Sequence, residues 1–277
     1  MSLLPSRIQV QTEPYQQLVV LHSVRFIKSQ CPGDTTTKHL IDGYNLVNKK
    51  TTVNSDFDSY IGNAMRDPHI IVAETRIGSP DSVGGAACLE FANTVENYRL
   101  DSSPDLFSRY EDLLPWSQQQ GLVQESTSTR LSRTAETDAS QAADVFAAAK
   151  ALRARIYRVF SAIAHGREPA TADIFTLNRE LSWALAHLQL EGSEGRYNWF
   201  WRDQATCLDS VLWPVLRSAA ELLAAPDLER LRQCNGHDCT WLFLDRSKNR
   251  SRRWCEMQVC GNRAKSRRHY ARSRAPA

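Results

Sequence analysis

The stretch Cys234-Asn235-Gly236-His237-Asp238-Cys239 is followed, after fifteen residues, by Cys255-Glu256-Met257-Gln258-Val259-Cys260. Two close thiol pairs joined by a short loop can wrap a tetrahedral Zn²⁺ at Zn–S distances of about 2.3 Å. Four residues between paired cysteines is the wide end for a metal knuckle, and the symmetry of the two pairs is what favours a metal. The alternatives are disulfides or buried thiols. A disulfide framework belongs to oxidising compartments and small secreted chains, whereas this chain has 277 residues and no apolar signal-like stretch after Met1. The reading is a structural Zn²⁺ held by Cys234, Cys239, Cys255 and Cys260. Cys31, Cys88 and Cys207 are isolated in sequence and read as small buried hydrophobes without chemistry.

Charge supplies the second clue. The formal net charge is +3, but residues 230–277 hold 13 Lys+Arg against 3 Asp+Glu, a balance of +10, which leaves −7 for the rest. Four thiolates and their metal together add about −2, so this segment stays positive. An acidic body with a strongly basic end marks a surface for polyanions.

Working outward from the cysteines, Asn235 to Asp238 make a turn in which Gly236 can take positive φ. His237 and His269 could substitute as ligands, but four cysteines already close a tetrahedral set. Trp241-Leu242-Phe243-Leu244 reads as a strand, and the turn over 245–249 predicts a hairpin with the segment before Cys255. After Cys260 no breaker occurs until Pro276, which predicts a helix capped by Asn262. Arg263, Arg267 and Arg274 gather on one side of it and Lys265, Arg268 and Arg272 on the adjacent side. Arg250, Arg252 and Arg253 add a cluster before Cys255. These nine side chains are the candidate nucleic-acid contacts, since arginine pairs bidentately with phosphate and guanine edges.

Upstream, the pattern is helical. Val83 to Ala87 is a small-residue entry to the segment from Cys88 to Val95. A helix is predicted over 104–120, with Ser103 as cap, Pro104 as first residue and Gly121 as terminator, burying Leu106, Tyr110, Leu113, Leu114 and Trp116. A longer one is predicted over 138–165, closed by Gly166. Its face is Val145, Ala149, Leu152, Ile156, Val159, Phe160 and Ile163. Thr171 is expected to cap a helix to about residue 190, with Ile174, Leu177, Leu181, Leu185 and Leu188 inward. Residues 196–201 read as a short strand. A last body helix is expected from about 203 to 223, kinked at Pro214, and residues 226–232 add a turn or two. Tryptophans 116, 183, 199, 201 and 213 are read as core, with a ligand pocket as the alternative. The predicted fold is mainly α: a helical body over 65–229 and a small α+β zinc module over 230–277.

Residues 1–64 carry four of the seven lysines and a single alanine, Ala64. They read either as an over-extended reading frame, with translation beginning at Met65, or as a loosely ordered N-terminal arm.

At the cysteines the chain resembles a known family. Cys234, the run Cys239-Thr240-Trp241-Leu242-Phe243-Leu244-Asp245, then Arg252-Arg253-Trp254-Cys255, and finally Cys260-Gly261-Asn262-Arg263-Ala264-Lys265 are similar to the CGNR zinc finger, named for the residues at 260 to 263. Gly84-Gly85, Leu89-Glu90-Phe91-Ala92-Asn93-Thr94 and the helix from Leu212-Trp213-Pro214 to Leu223 resemble its usual partner, the ABATE domain. Together they span about residues 65–277. The resemblance implies a bacterial, stress-linked transcription regulator whose four cysteines bind zinc and whose C-terminal segment binds DNA. The family usually has Asp where this chain has Glu90.

The leading function is therefore a cytoplasmic, DNA-binding transcription regulator whose body senses a signal, such as a small-molecule effector, or oligomerises as a homodimer. The alternative is a module that binds RNA or RNA polymerase, favoured less because only Tyr270 interrupts the basic helix as a stacking aromatic. No GxSxG, HExxH, P-loop or Rossmann fingerprint occurs, and a closed four-cysteine zinc lacks the open position hydrolysis needs, so an enzyme is not expected. No window is apolar for about 18 residues, so no membrane span is expected. Glu90 and Asn93 are read as helix caps or cross-links.

Overall fold

The computed structural model describes residues 83–193 and 195–273. Along the chain run α1 (Ala87–Ala92), α2 (Leu113–Gln119), α3 (Glu125–Thr137), α4 (Ala139–Ala164), α5 (Thr171–Leu185), β1 (Leu188–Ser193), β2 (Arg196–Trp201), α6 (Trp213–Ala224), β3 (Leu231–Gln233), β4 (Leu242–Leu244) and α7 (Asn262–Ser273). Short 3-10 turns occupy Tyr110–Asp112, Leu208–Leu212 and Pro226–Arg230, and a π turn occupies Met257–Gly261. The fold is mainly α, with two two-stranded antiparallel sheets among the described residues.

The 26-residue α4 is the spine. Asp138 caps it by accepting the Gln141 N–H at 2.9 Å. Its expected face is buried from Val145 to Phe160, with Ile163 packed at the core's edge. Each large side chain so buried contributes about 1.5–3 kcal/mol. Helices α1 and α5 and both strands β3 and β4 pack on α4, so the spine carries the body and the C-terminal module together.

Several local expectations give way to longer-range contacts. The helix expected from Pro104 begins only at the Tyr110 turn. Asp105 bridges to Val95 and receives the Arg153 guanidinium, Ser103 Oγ accepts the Asn97 N–H, and Pro104 O accepts the Glu96 N–H. Leu106 is consequently 63% exposed, while Tyr110, Leu113, Leu114 and Trp116 are buried as read. Helix α5 stops at Leu185, with Ala170 rather than Thr171 at its cap position. His187 is buried between Trp183 and Trp213, and its carbonyl accepts the Arg202 N–H at 2.8 Å. Leu188 and Leu190 thereby enter a strand and pair with Trp201 and Trp199. Residues 203–212 are not an α-helix. Pro214 lies in the first turn of α6, where its missing N–H costs nothing, and makes no kink. The polar α3, which buries only Ser128, Leu131 and Ala135, has no counterpart in the sequence reading.

Tryptophans 116 and 213 are core residues and Trp183 and Trp201 are half-buried, whereas Trp199, read as core, is exposed on β2 with Arg217 over its ring. Trp183 and Trp213 both donate to the Asp209 carboxylate. Burial pushes the Cys88 thiol up to about 12, consistent with an inert core residue. Cys207 is also buried, but it is not the isolated thiol its spacing suggested: it is disulfide-bonded, so an oxidised cysteine stands where a small buried hydrophobe was expected. Cys31 and the readings of residues 1–64 lie outside the described residues.

Candidate metal centre and basic helix

Strands β3 and β4 bring the first two cysteines together. Leu231 pairs with Leu244, Arg232 with Phe243 and Gln233 with Leu242. The expected hairpin with the segment before Cys255 does not form: β4 pairs with the residues preceding Cys234 instead. Asn235 still ties the second pair in, donating its N–H to Arg253 O at 2.9 Å. Because strand side chains alternate, Leu242 and Leu244 join the body's core while Phe243 packs with the four cysteines and Trp254.

The Sγ atoms of Cys234, Cys239, Cys255 and Cys260 all lie within 4.8 Å of one another, and all four residues are buried. Cys239–Cys255 measures 3.7 Å and Cys255–Cys260 3.6 Å. A disulfide requires about 2.05 Å, whereas a regular tetrahedron of thiolates about 2.3 Å from a central ion has edges of about 3.8 Å. These two edges match the second spacing and exclude the first. Sulfur contacts from Cys239 and Cys255 lower the Cys234 thiol, while contact with Cys234 raises those of Cys239 and Cys255, and burial raises that of Cys260. A divalent cation is what makes four thiolates compatible with burial.

Two backbone donors support this arrangement, the N–H groups of Gly236 and Cys255, each 3.3 Å from Cys234 Sγ. Gly236 does not use the positive φ open to glycine. Space is what it supplies: an added Cβ would stand 3.0 Å from Cys239 Cβ, 3.3 Å from Cys260 Sγ and 3.4 Å from Cys234 Sγ. His237 is exposed and pairs with Asp238 outside the cluster.

The second thiol pair leads directly into α7. Asn262 is already helical, because the π turn over Met257–Gly261 starts the helical path earlier, so it is not the cap. None of the twelve residues of α7 is buried, and five are Lys or Arg with no acid among them. Arg263, Lys265 and Arg272 are exposed, Arg267 reaches Asp238 at 2.9 Å, and Arg268 Nε donates to Ala264 O at 3.4 Å. Arg250 pairs with Glu229, and Arg253 covers the face of Trp254. Arg252 differs: it donates to the carbonyls of Val83, Trp254 and Cys255 and stacks on Phe243, so it serves as scaffold. Arg274 lies outside the described residues.

Residues 85–226 match the model of the ABATE family, described as "Putative stress-induced transcription regulator", and residues 230–273 match the CGNR zinc finger. The chain belongs to the ABATE family. No curated protein matches it in sequence.

The ABATE part and the CGNR finger meet through residues that sequence reasoning used otherwise or missed. Asn93, read as a helix cap or cross-link, joins the ABATE helix α1 to β4. Glu90 Oε1 accepts the N–H groups of Gly84 and Gly85 at 2.5 and 3.2 Å. Gly85, at φ 84, and Gly84 let that loop lie against β4, where the Leu244 N–H donates to Gly84 O. Thr240 Oγ1 accepts the Tyr98 N–H, and Trp241 Nε1 donates to Val95 O. Gln233, next to Cys234, donates to Tyr157 Oη and accepts from Ser161 Oγ, both on α4. No spacing rule marks these partners, because each is chosen by the fold. Among the described residues no helix is long and apolar enough to cross a membrane.

Proposed function

We propose that this protein is a zinc-dependent, DNA-binding transcription regulator of the cytoplasm. Cys234, Cys239, Cys255 and Cys260 would hold the ion, which in a closed four-thiolate set supplies a structural cross-link and no open coordination position. The finger over 230–277 presents duplex contacts, and the helical body over 65–229 senses a signal, such as a small effector, or mediates homodimerisation.

The observation that carries this reading is the continuity of the cysteine cluster with α7: the last thiol, Cys260, is two residues before a cationic helix with no buried residue. A helix that buries no side chain gains no core stability from its cations, so their accumulation is explained by a polyanionic partner. Duplex DNA is favoured over RNA because α7 offers only His269 and Tyr270 as stacking rings among its cations.

Fluorescence anisotropy with labelled genomic duplexes tests it. Zinc-loaded protein should bind, a chelator should abolish binding, and structured RNA of equal length should compete less well than duplex. If about six phosphates are neutralised, log Kd should vary with log salt with a slope near 5 in magnitude. A salt-independent signal, or none with any duplex, refutes the reading.

A further inference from the structure

We infer that α7 divides its labour lengthwise: one flank reads base edges in the major groove and the other clamps phosphate. This rests on the proposed duplex binding and goes beyond it by naming the residues that make binding sequence-specific.

The first observation is a shallow, solvent-open concavity along one side of α7. Gln258, Asn262, Arg263, Ser266, Arg267 and Tyr270 line it. Asn262, Ser266 and Tyr270 follow one another at i, i+4 and i+8, so they form one row, with Arg263 and Arg267 as the neighbouring row. The chemical mixture matters more than the charge. Asn and Gln offer paired donor and acceptor for adenine N6/N7, Arg offers two donors for guanine O6/N7, and apolar surface suits the thymine methyl. Tyr270, 67% exposed, and the exposed Val259 supply that apolar surface.

The opposite flank has a different composition. Lys265, Arg268 and Arg272 follow at i, i+3 and i+7, and all are exposed. Cations with no amide or aromatic among them attract phosphate without distinguishing bases.

Shape and orientation agree with this division. A twelve-residue helix is about 18 Å long and, with side chains, about 10–12 Å thick, which suits a major groove about 12 Å wide. Since α7 buries no residue, both flanks can be engaged at once. On the reading flank Arg267 is held by Asp238 at 2.9 Å, and Asp238 itself contacts His237. A carboxylate beside a reading arginine restrains its rotamers before binding and repels misplaced phosphate, and both effects favour discrimination.

The test uses the full-length zinc-loaded protein. A preferred duplex is selected from a random library, and Kd is measured for it and for a scrambled duplex across salt concentrations. Arg263→Ala should reduce the preferred-to-scrambled ratio about five- to a hundredfold with scrambled binding little changed. Lys265→Ala with Arg268→Ala should weaken both duplexes equally and reduce the salt slope by about 2, leaving the ratio intact. Zinc stoichiometry and circular dichroism verify that each variant is folded, and Gln258→Ala serves as a second reading-flank variant. If Arg263→Ala and Gln258→Ala both weaken the two duplexes equally, or if wild-type protein prefers no sequence, the division of labour is wrong while duplex binding stands. If wild-type protein binds no duplex, both readings fall.

Discussion

Asn93 and Leu242 are joined by a two-point hydrogen bond: Asn93 Nδ2 donates to the Leu242 carbonyl at 2.8 Å, and Asn93 Oδ1 accepts the Leu242 N–H at 2.8 Å. Asn93 follows α1, Leu242 begins β4, and both residues are buried. Replacing Asn93 with Ala leaves two backbone groups without partners, at a cost of about 1–3 kcal/mol for each. Asn93→Asp keeps the acceptor and loses the donor, so it should still be destabilising. Urea unfolding followed by tryptophan fluorescence measures both, and an Asn93→Ala change below about 0.5 kcal/mol, well short of one stranded group, would contradict this account.

Asp245 makes a pH prediction. The residue is 0% exposed, and burial alone would raise its pKa. The Ser247 hydroxyl and N–H and the Arg252 N–H outweigh that effect and hold the carboxyl below its ordinary range. A depressed folded-state pKa stabilises above the unfolded value, about 3.9, and that stability is lost as pH falls through the folded value. Asp245→Asn presents a mismatched NH₂ to these donors and should cost about 1–3 kcal/mol at pH 7. The wild-type-to-variant difference should narrow at acid pH. An equal difference at pH 7 and pH 3 would disprove the mechanism.

Gly236→Ala probes the cluster without removing a thiol. The methyl would press on three of the four cysteines. Zinc affinity, measured by competition with a chromophoric chelator, should fall by about 10- to 100-fold, the range seen when support around a metal's ligands is disturbed. Undiminished affinity would mean the loop yields freely.

Arg153 sits on the buried side of α4 and is 4% exposed. Its guanidinium makes paired bonds to both Asp105 oxygens and a third to Thr94 Oγ1 at 2.8 Å, and it lies over the Phe107 ring. Arg153→Leu should cost about 3 kcal/mol, toward the low end for broken buried pairs because Asp105 retains solvent contact. Adding Asp105→Leu should recover part of the loss, which a double-mutant cycle of unfolding free energies resolves.

Chelation should affect more than the finger. Leu231, Leu242 and Leu244 lie in the body's core while Phe243 packs among the cysteines. Calorimetry should therefore show one cooperative transition for zinc-loaded protein, shifted to lower temperature by a chelator. Two separate transitions, only one of them sensitive to metal, would show that the parts unfold independently.

Where the determinants are local, the sequence is readable. Asp138, the stripe from Val145 to Phe160 and Gly166 bound α4 almost to the residue, and the thiol spacing locates the cluster. Reading fails where a distant partner decides. Pro104 looks like a helix start until Arg153, 48 residues beyond Asp105, draws that segment away. The leucines after Leu185 keep helical spacing, yet His187 stacks on Trp213 and the chain turns into β1. Helix α3 hides because it buries three small patches of an otherwise polar surface. The loop arginines look alike in sequence, and only Phe243 together with three carbonyls singles out Arg252.

The alternation along β4 also bears on how such chains can be recombined. A finger excised at residue 230 and grafted elsewhere would carry Leu231, Leu242 and Leu244 as an oily underside, together with the Leu242 backbone that Asn93 now satisfies. A recipient scaffold would need a matching hollow and a carboxamide at its floor. The portable piece is therefore the finger plus the platform it is moulded to, and chimeras that keep α1 and α4 with the hairpin should outlast those spliced at the family boundary.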